Sequence, residues 1–489
     1  MGTLTDRPRK RLSQKELRQL LRTARRQQAR KARVARRRLE RNHDQLPKQV
    51  RTIFDPLEPG FSRPIHRRFV LLALAAILTL GGRTIANLLR VLGVLAPGHP
   101  SSYHRVFSRD RWSLSPLSRR YVAAVLARFV PSGTILLAGD DTVTEHPGPH
   151  VYGKGRHRDP VRSTHTYTAF RWGHKWVVLT VLVAVPWATR RWALPLLVAL
   201  YRSKEENLKR RQRHKTPAQL LGQMVRILKR WFPDRRFVVT ADGNYASHEL
   251  AEVAARTRRK WTLVSLFYPD ANLVEPPPPY SGTGRPRKKG KDLPAPAEVV
   301  EKTKQRQTLV VAWYGGGRRR VEVVTGTGLW YQSGRPLVNL RWVFVHDLSG
   351  THRDQYFFTT DATMSVRTVI ETYTGRWNIE TTFEEVRSYL RVQTTRGWSR
   401  DTVLRVGPCL LGLYTIVAWL YAELPGRWSR VRVVDWTGKR DVTFSDAITA
   451  VRRWLWLEWV LAIPGHRGAF QKLKPGLRQI LLNGLAPAA

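Results

Sequence analysis

Between Glu371 and Arg387 the chain reads Glu-Thr-Tyr-Thr-Gly-Arg-Trp-Asn-Ile-Glu-Thr-Thr-Phe-Glu-Glu-Val-Arg. On a helix Tyr373, Arg376, Glu380 and Arg387, at offsets of three, seven and fourteen residues, return to nearly one face. A carboxylate framed by two guanidinium groups and a phenol can hold a metal ion beside a phosphate. Val369, Ile370, Trp377, Phe383, Val386 and Leu390 supply an adjoining apolar stripe that would seat the helix on a core. An ordinary amphipathic helix with i,i+3 and i,i+4 charge pairs has the same look. Two upstream acids decide between these readings. Asp140 follows Thr134-Ile-Leu-Leu-Ala-Gly, and Asp242 follows Phe237-Val-Val-Thr-Ala, each at the end of an apolar strand pattern. Carboxylates at the ends of neighbouring strands can converge, and their mutual repulsion is relieved by cations. Two Mg²⁺ ions about 3.5–4 Å apart would do this and would position an in-line attack on phosphorus, with Mn²⁺ as the substitute. A lone strand-end aspartate is an ordinary turn former. Three acids with basic flanks are not so easily dismissed.

The elements that must position these groups follow a mixed pattern. Residues 1–55 form a basic arm, expected to be disordered alone and helical along a DNA backbone; residues 1–50 hold 17 Lys plus Arg against four acids. Residues 56–132 read as a helical DNA-binding domain, with short helices around the turn from Gly93 to Pro100. Ser101, Ser102, His104 and Arg105 would open a recognition helix, and Ser115 would cap the helix that follows. Residues 133–397 read as an α/β catalytic domain with a mixed sheet. Its strands are expected at 134–139, Thr164–Arg171, Trp176–Val185, Phe237–Ala241 and Trp261–Phe267, with helices at Thr216–Phe232 and Ser247–Thr257. A β-rich insertion spans about 270–345, with Gly315-Gly-Gly317 as a hairpin turn. Asp361 or Thr363 would cap the helix of the opening motif. Residues 398–489 form a helical, Trp-rich C-terminal subdomain.

Composition narrows the partners. With 85 Lys plus Arg against 36 Asp plus Glu the net charge is +49, which calls for a polyanion. Nucleic acid is the obvious polyanion and double-stranded DNA the expected partner, with a membrane surface and ribosomal RNA as the competing ones. No apolar stretch reads as membrane-spanning: Val177–Leu200 is broken by Pro186, Arg190 and Arg191. Met1–Arg11 precedes no apolar segment of a secretory signal, and the single Cys409 excludes an internal disulfide. A reducing cytoplasm is expected. His146, His150, His157, His165 and His174 cluster in sequence, but their spacing fits no common zinc site.

The chain resembles the DDE transposases of bacterial insertion sequences, in the cut-and-paste group marked by Tyr-x2-Arg-x3-Glu-x6-Lys. Tyr373, Arg376 and Glu380 match that signature, while Arg387 stands where the group has Lys. Val239-Thr-Ala-Asp242-Gly243-Asn-Tyr245 and Leu136-Leu-Ala-Gly-Asp140-Asp141-Thr142 resemble its two aspartate blocks. The first block favours Asp140, with Asp141 as the alternative ligand. The resemblance implies a ribonuclease H-like core in which Asp140, Asp242 and Glu380 hold the metals and Tyr373, Arg376 and Arg387 grip phosphates. It implies cleavage at transposon ends through a hairpin intermediate, then strand transfer into target DNA by a homodimer. An aromatic side chain of the β insertion would stack on a flipped base, with Trp313, Trp330 and Trp342 as candidates, although for each a core Trp in a strand is the favoured reading. The alternatives are a non-catalytic DNA-binding derivative and a related ribonuclease H-like nuclease.

Overall fold

The computed structural model describes residues 14–159, 162–256, 261–280, 282, 284–429 and 438–487. Residues 1–13 of the basic arm, Val161, Thr257 and Ser281 lie outside them.

The six N-terminal helices are α1 (Gln14–Asp44), α2 (Lys48–Phe54), α3 (Arg63–Leu78), α4 (Ile85–Leu92), α5 (Ser101–Ser108) and α6 (Leu114–Phe129). From Gln14 to Asp44 the arm is one long helix, where a segment disordered on its own is expected. Its C-terminal turn is held because Leu39 is buried and Glu40 pairs with Arg67 of α3 at 3.0 Å. Helix α6 begins one residue before Ser115, and Ser113 takes the N-cap position.

One 12-stranded sheet follows. Its first part comprises β1 (Ile135–Glu145), β2 (Gly155–Arg158), β3 (Phe170–Val185), β4 (Ala188–Tyr201), β5 (Phe237–Ala241) and β6 (Thr262–Leu266). Helices α7 (Lys204–Lys209) and α8 (Pro217–Trp231) precede β5, and α9 (His248–Ala255) joins it to β6. Strands β1, β5 and β6 are mutually parallel neighbours; β3 flanks β1 antiparallel, and β2 and β4 pair with β3. The expected strand at Thr164–Arg171 is largely an exposed loop, and the strand reading missed is β4. Val185 pairs with Ala188, so Pro186 and Trp187 are the two-residue turn of a β3–β4 hairpin. Residues that looked like a break in an apolar run are the point where the run reverses.

The β-rich segment is not a separate layer. It contains β7 (Leu273–Val274), β8 (Asp292–Leu293), α10 (Pro296–Lys302), β9 (Gln307–Ala312), β10 (Arg318–Trp330) and β11 (Val338–Asp347). Strand β12 (Gln355–Thr359) pairs with β6 on one side and β11 on the other, so the segment extends the central sheet edgewise. Gly315 and Gly316 take positive φ between β9 and β10, which allows the reversal there.

Helices α11 (Val366–Gly375) and α12 (Asn378–Tyr389) carry the opening motif, and Ser365, not Asp361 or Thr363, caps α11. The C-terminal helices are α13 (Arg400–Ala422), α14 (Gly426–Ser429), α15 (Phe444–Leu455), α16 (Pro464–Gln471) and α17 (Pro475–Leu485). Helix α13 is long and apolar enough to cross a membrane, but here it packs against β4 and α15. The two terminal helical regions share one core. Buried Arg452 of α15 donates to the Ile77 carbonyl of α3 at 2.7 Å, and Arg83 donates to the Tyr389 carbonyl of α12 at 2.7 Å.

Candidate active site

Strand alternation sorts the Asp140–Asp141 doublet. A Cβ on Gly139 would meet Leu221 of α8, so odd-numbered residues of β1 face α8 and even-numbered ones face the opposite layer. Asp140 and Thr142 thus share the face covered by α11 and α12. Asp141 lies on the other, where its carboxylate pairs with Lys175 at 3.0 Å and accepts from the Tyr245 hydroxyl at 3.0 Å. Lys175 pairs across from Val143 on β3, which makes it the diagonal neighbour of Asp141.

The parallel ladder between β1 and β5 ends at Gly139 opposite Ala241. The next residues, Asp140 and Asp242, therefore sit side by side on the same face. Strand β1 does not stop there, because β3 continues to pair with it as far as Glu145. Asp140 is mid-strand in β1 and at the end only of its pairing with β5.

The third acid arrives through a joint between helices. The opening motif is not one helix: α11 ends at Gly375 and α12 starts at Asn378. Across the joint, Arg376, Trp377, Ile379 and Glu380 bond back three residues rather than four, which tightens the backbone. Arg376 sits at this joint and points inward. Its Nη1 donates to Asp140 Oδ2 and its Nη2 to Glu380 Oε1, both at 2.9 Å. Helix α12 is fixed from its other side by Thr382, which donates to the Ala193 carbonyl of β4 at 3.0 Å, and by Glu385, paired with Arg190 at 3.1 Å. Arg387 reaches β1 and donates to Thr142 Oγ1 at 2.7 Å.

Electrostatics follow from this geometry. Burial pushes the Asp140 carboxyl up to about 7; Arg376 opposes the rise, and Asp242 and Asp141 add to it. Asp242 is raised for the same leading reason, with Arg376 again opposing. Burial works against the charge on Arg376, yet Asp140 and Glu380 hold it more firmly protonated than an ordinary arginine. Two neighbouring carboxylates and a third on the same guanidinium form a site short of positive charge. The donors are hard carboxylate oxygens, which fit Mg²⁺ or Mn²⁺. Among the described residues no three His, Cys, Asp or Glu side chains already close round one point, and Arg376 lies between two of the candidates.

Other expected contacts are not presented to the surface. Tyr373 is buried, its ring 4.5 Å from that of Phe357 and 5.6 Å from the Arg376 guanidinium, so it supports Arg376 from below and does not face out to a phosphate. Trp313, Trp330 and Trp342 are all buried; Trp330 packs among His248, Phe267 and Phe358, which leaves no open ring face for a base. Trp377, expected in the apolar stripe, is instead 46% exposed beside the joint. Tyr314, next to Trp377 and stacked on His352, is close enough for Arg376 and Glu380 to act on its hydroxyl. Sequence reading missed Lys175, Tyr245 and Tyr314. Only the diagonal pairing of Lys175 had a signal, and it required the β1–β3 register.

A family model described as DDE superfamily endonuclease matches residues 56–320, more than half of the chain. The chain belongs to the DDE superfamily endonucleases. The matched span includes Asp140 and Asp242 and stops before Glu380, so the third acid of this DDE endonuclease rests on the geometry just described. A cryo-EM structure of piggyBac transposase in a synaptic complex with hairpin DNA is similar over 90% of this chain and 83% of its own, at 10% identity and a TM-score of 0.39. No curated protein matches the chain.

Proposed function

We propose that this DDE endonuclease is a DNA transposase that cleaves at transposon ends and transfers the freed strand into target DNA. The observation that carries the reading is the register that sets Asp140 beside Asp242, with Glu380 linked to Asp140 through the shared Arg376 guanidinium. The order of β4, β3, β1, β5 and β6, with the last three parallel, supports a ribonuclease H-like core. Asp140, Asp242 and Glu380 would hold two Mg²⁺ ions, and Asp141 is drawn away by Lys175 and Tyr245. Bound there, the metals supply an activated oxygen nucleophile and stabilise the leaving oxygen. The chain's own part is positioning. Arg376 bridges the Asp140 and Glu380 carboxylates and would offer its guanidinium to a phosphate as a third anion, while Arg387, anchored on Thr142, would hold the backbone alongside. Cleavage through a hairpin, with two copies of the chain on paired ends, completes the proposal.

The test uses DNA from the two sides of the gene, where inverted repeats are expected on this proposal. Mg²⁺-dependent cleavage there should fall by ~10³-fold or more in Glu380→Gln, with duplex binding retained. Cleavage that survives Glu380→Gln would remove that residue from the site. Tight end binding without cleavage by the unsubstituted protein would instead favour a non-catalytic DNA-binding protein.

A further inference from the structure

Five residues beyond Asp140, β1 ends at Glu145, about 17 Å along the strand. There it opens into a cleft of about 1110 Å³. One wall is the loop after β1 with the start of β3. The other is Trp398 and Ser399, at the end of the ten residues that separate α12 from α13, with Arg400. The walls are tied together, since Tyr152 N–H donates to the Trp398 carbonyl at 2.9 Å. Nothing in the metal-site reading uses this cleft.

Its lining combines two features seldom left open together. Trp172 and Trp398 are 58% and 67% exposed, and Phe170 beside them is 45% exposed. Lys154, Arg162, Arg171, Arg210 and Arg400 face the same space against only Glu145 and Glu206. Cations already lie over the rings: Arg210 is 4.5 Å from the centre of Tyr152 and Lys154 is 5.7 Å from that of Trp172. Guanidinium groups also mark a path from the carboxylates. Arg376 holds Asp140, Arg387 holds Thr142, and Arg171, near enough to depress Arg387 electrostatically, pairs with Glu145 at 3.6 Å.

We infer that this cleft binds unstacked nucleotides of the DNA strand leading to the scissile phosphate, with Trp172 and Trp398 as stacking platforms and the basic track following the backbone. This rests on the reading that the chain acts on DNA. Duplex bases have their faces covered by their neighbours, so open ring faces favour a strand whose bases are free. A line of guanidinium groups suits a polyanion more than an apolar peptide.

The full-length protein should be titrated with a blunt duplex and with the same duplex bearing a single-stranded extension that carries 2-aminopurine at successive positions. Stacking should quench the probe at one or two positions of the extension. Trp172→Ala with Trp398→Ala should abolish that quench and weaken binding of the extended DNA by ~10-fold or more, leaving the blunt duplex unaffected. Trp398→Phe in the Trp172 background should restore part of it. Both tryptophans are exposed, so unchanged thermal unfolding should accompany these losses. Quenching that persists in the double variant, or equal weakening on both DNAs, would overturn the cleft assignment. A chain that binds neither DNA would overturn the transposase reading beneath it.

Discussion

Arg376 sets the state of the site. Two aspartates brought together by strand register repel each other, and the structure answers with one buried guanidinium shared by Asp140 and Glu380. That guanidinium and a divalent cation would compete for the same oxygens. Replacing Arg376 by Met should therefore cost about 1–3 kcal/mol of stability in the absence of divalent ions, since the partly buried Asp140 and the more exposed Glu380 lose their counter-charge. Mg²⁺ should then raise the unfolding temperature of the variant more than that of the parent. Thermal unfolding in EDTA and in millimolar Mg²⁺ reads both effects. Equal gains in the two proteins would mean that Arg376 does not occupy the cation's place. At this scale the sequence was informative about charge and poor about direction. Asp140, Asp242 and Glu380 stood out by type and spacing. That Tyr373 lies under Arg376 while Trp377 faces out could not be read, because both rings suit a core or a surface equally well.

Elements position the site through two features that local sequence conceals. One is the joint at Arg376, where a tightened turn replaces a continuous helix and carries Glu380 inward. The helical stripe placed Arg376 and Glu380 on one face correctly, since i,i+4 neighbours meet even across the joint. The other is the long β3, which pairs with β1 past Asp140 and fixes the strand that β5 has already left. Its end at Val185 was legible, but the return strand β4 was missed because Pro186, Arg190 and Arg191 resembled a break, whereas Pro186 and Trp187 form the turn and both arginines lie in β4. Gly173 permits the far end of that pairing: a Cβ there would lie 2.1 Å from the Thr144 carbonyl oxygen and 2.9 Å from Glu145 Cα. This is backbone and cannot rotate away. Gly173→Ala should destabilise the protein by about 1–3 kcal/mol and open the end of the β1–β3 ladder. Amide exchange at Thr144 and Glu145 would report it, and exchange at the parent's rate would show that the strands accommodate the methyl group.

Across the whole molecule, the charge is distributed in a way that separates grip from chemistry. The face that carries Asp140 and Asp242 gathers acids around one arginine, whereas α1 alone carries twelve Lys and Arg against three acids and is exposed along most of its length. Little of α1 is needed for the fold: Leu39 is buried near its end, while Leu20, Leu21 and Val34 remain half exposed. On the proposed transposase function, a basic helix that buries so little is suited to binding a polyanion, and its contribution should be electrostatic and independent of DNA sequence. Deleting residues 1–37 should leave thermal unfolding nearly unchanged, weaken binding to any duplex by ~10-fold or more at low salt, and flatten the slope of log affinity against log salt concentration. Two duplexes, one from a gene boundary and one unrelated, separate the possibilities. If the deletion weakens only the boundary duplex, α1 reads sequence. If the salt slope stays the same, the phosphate contacts lie on the sheet and its cleft, and the arm serves another partner.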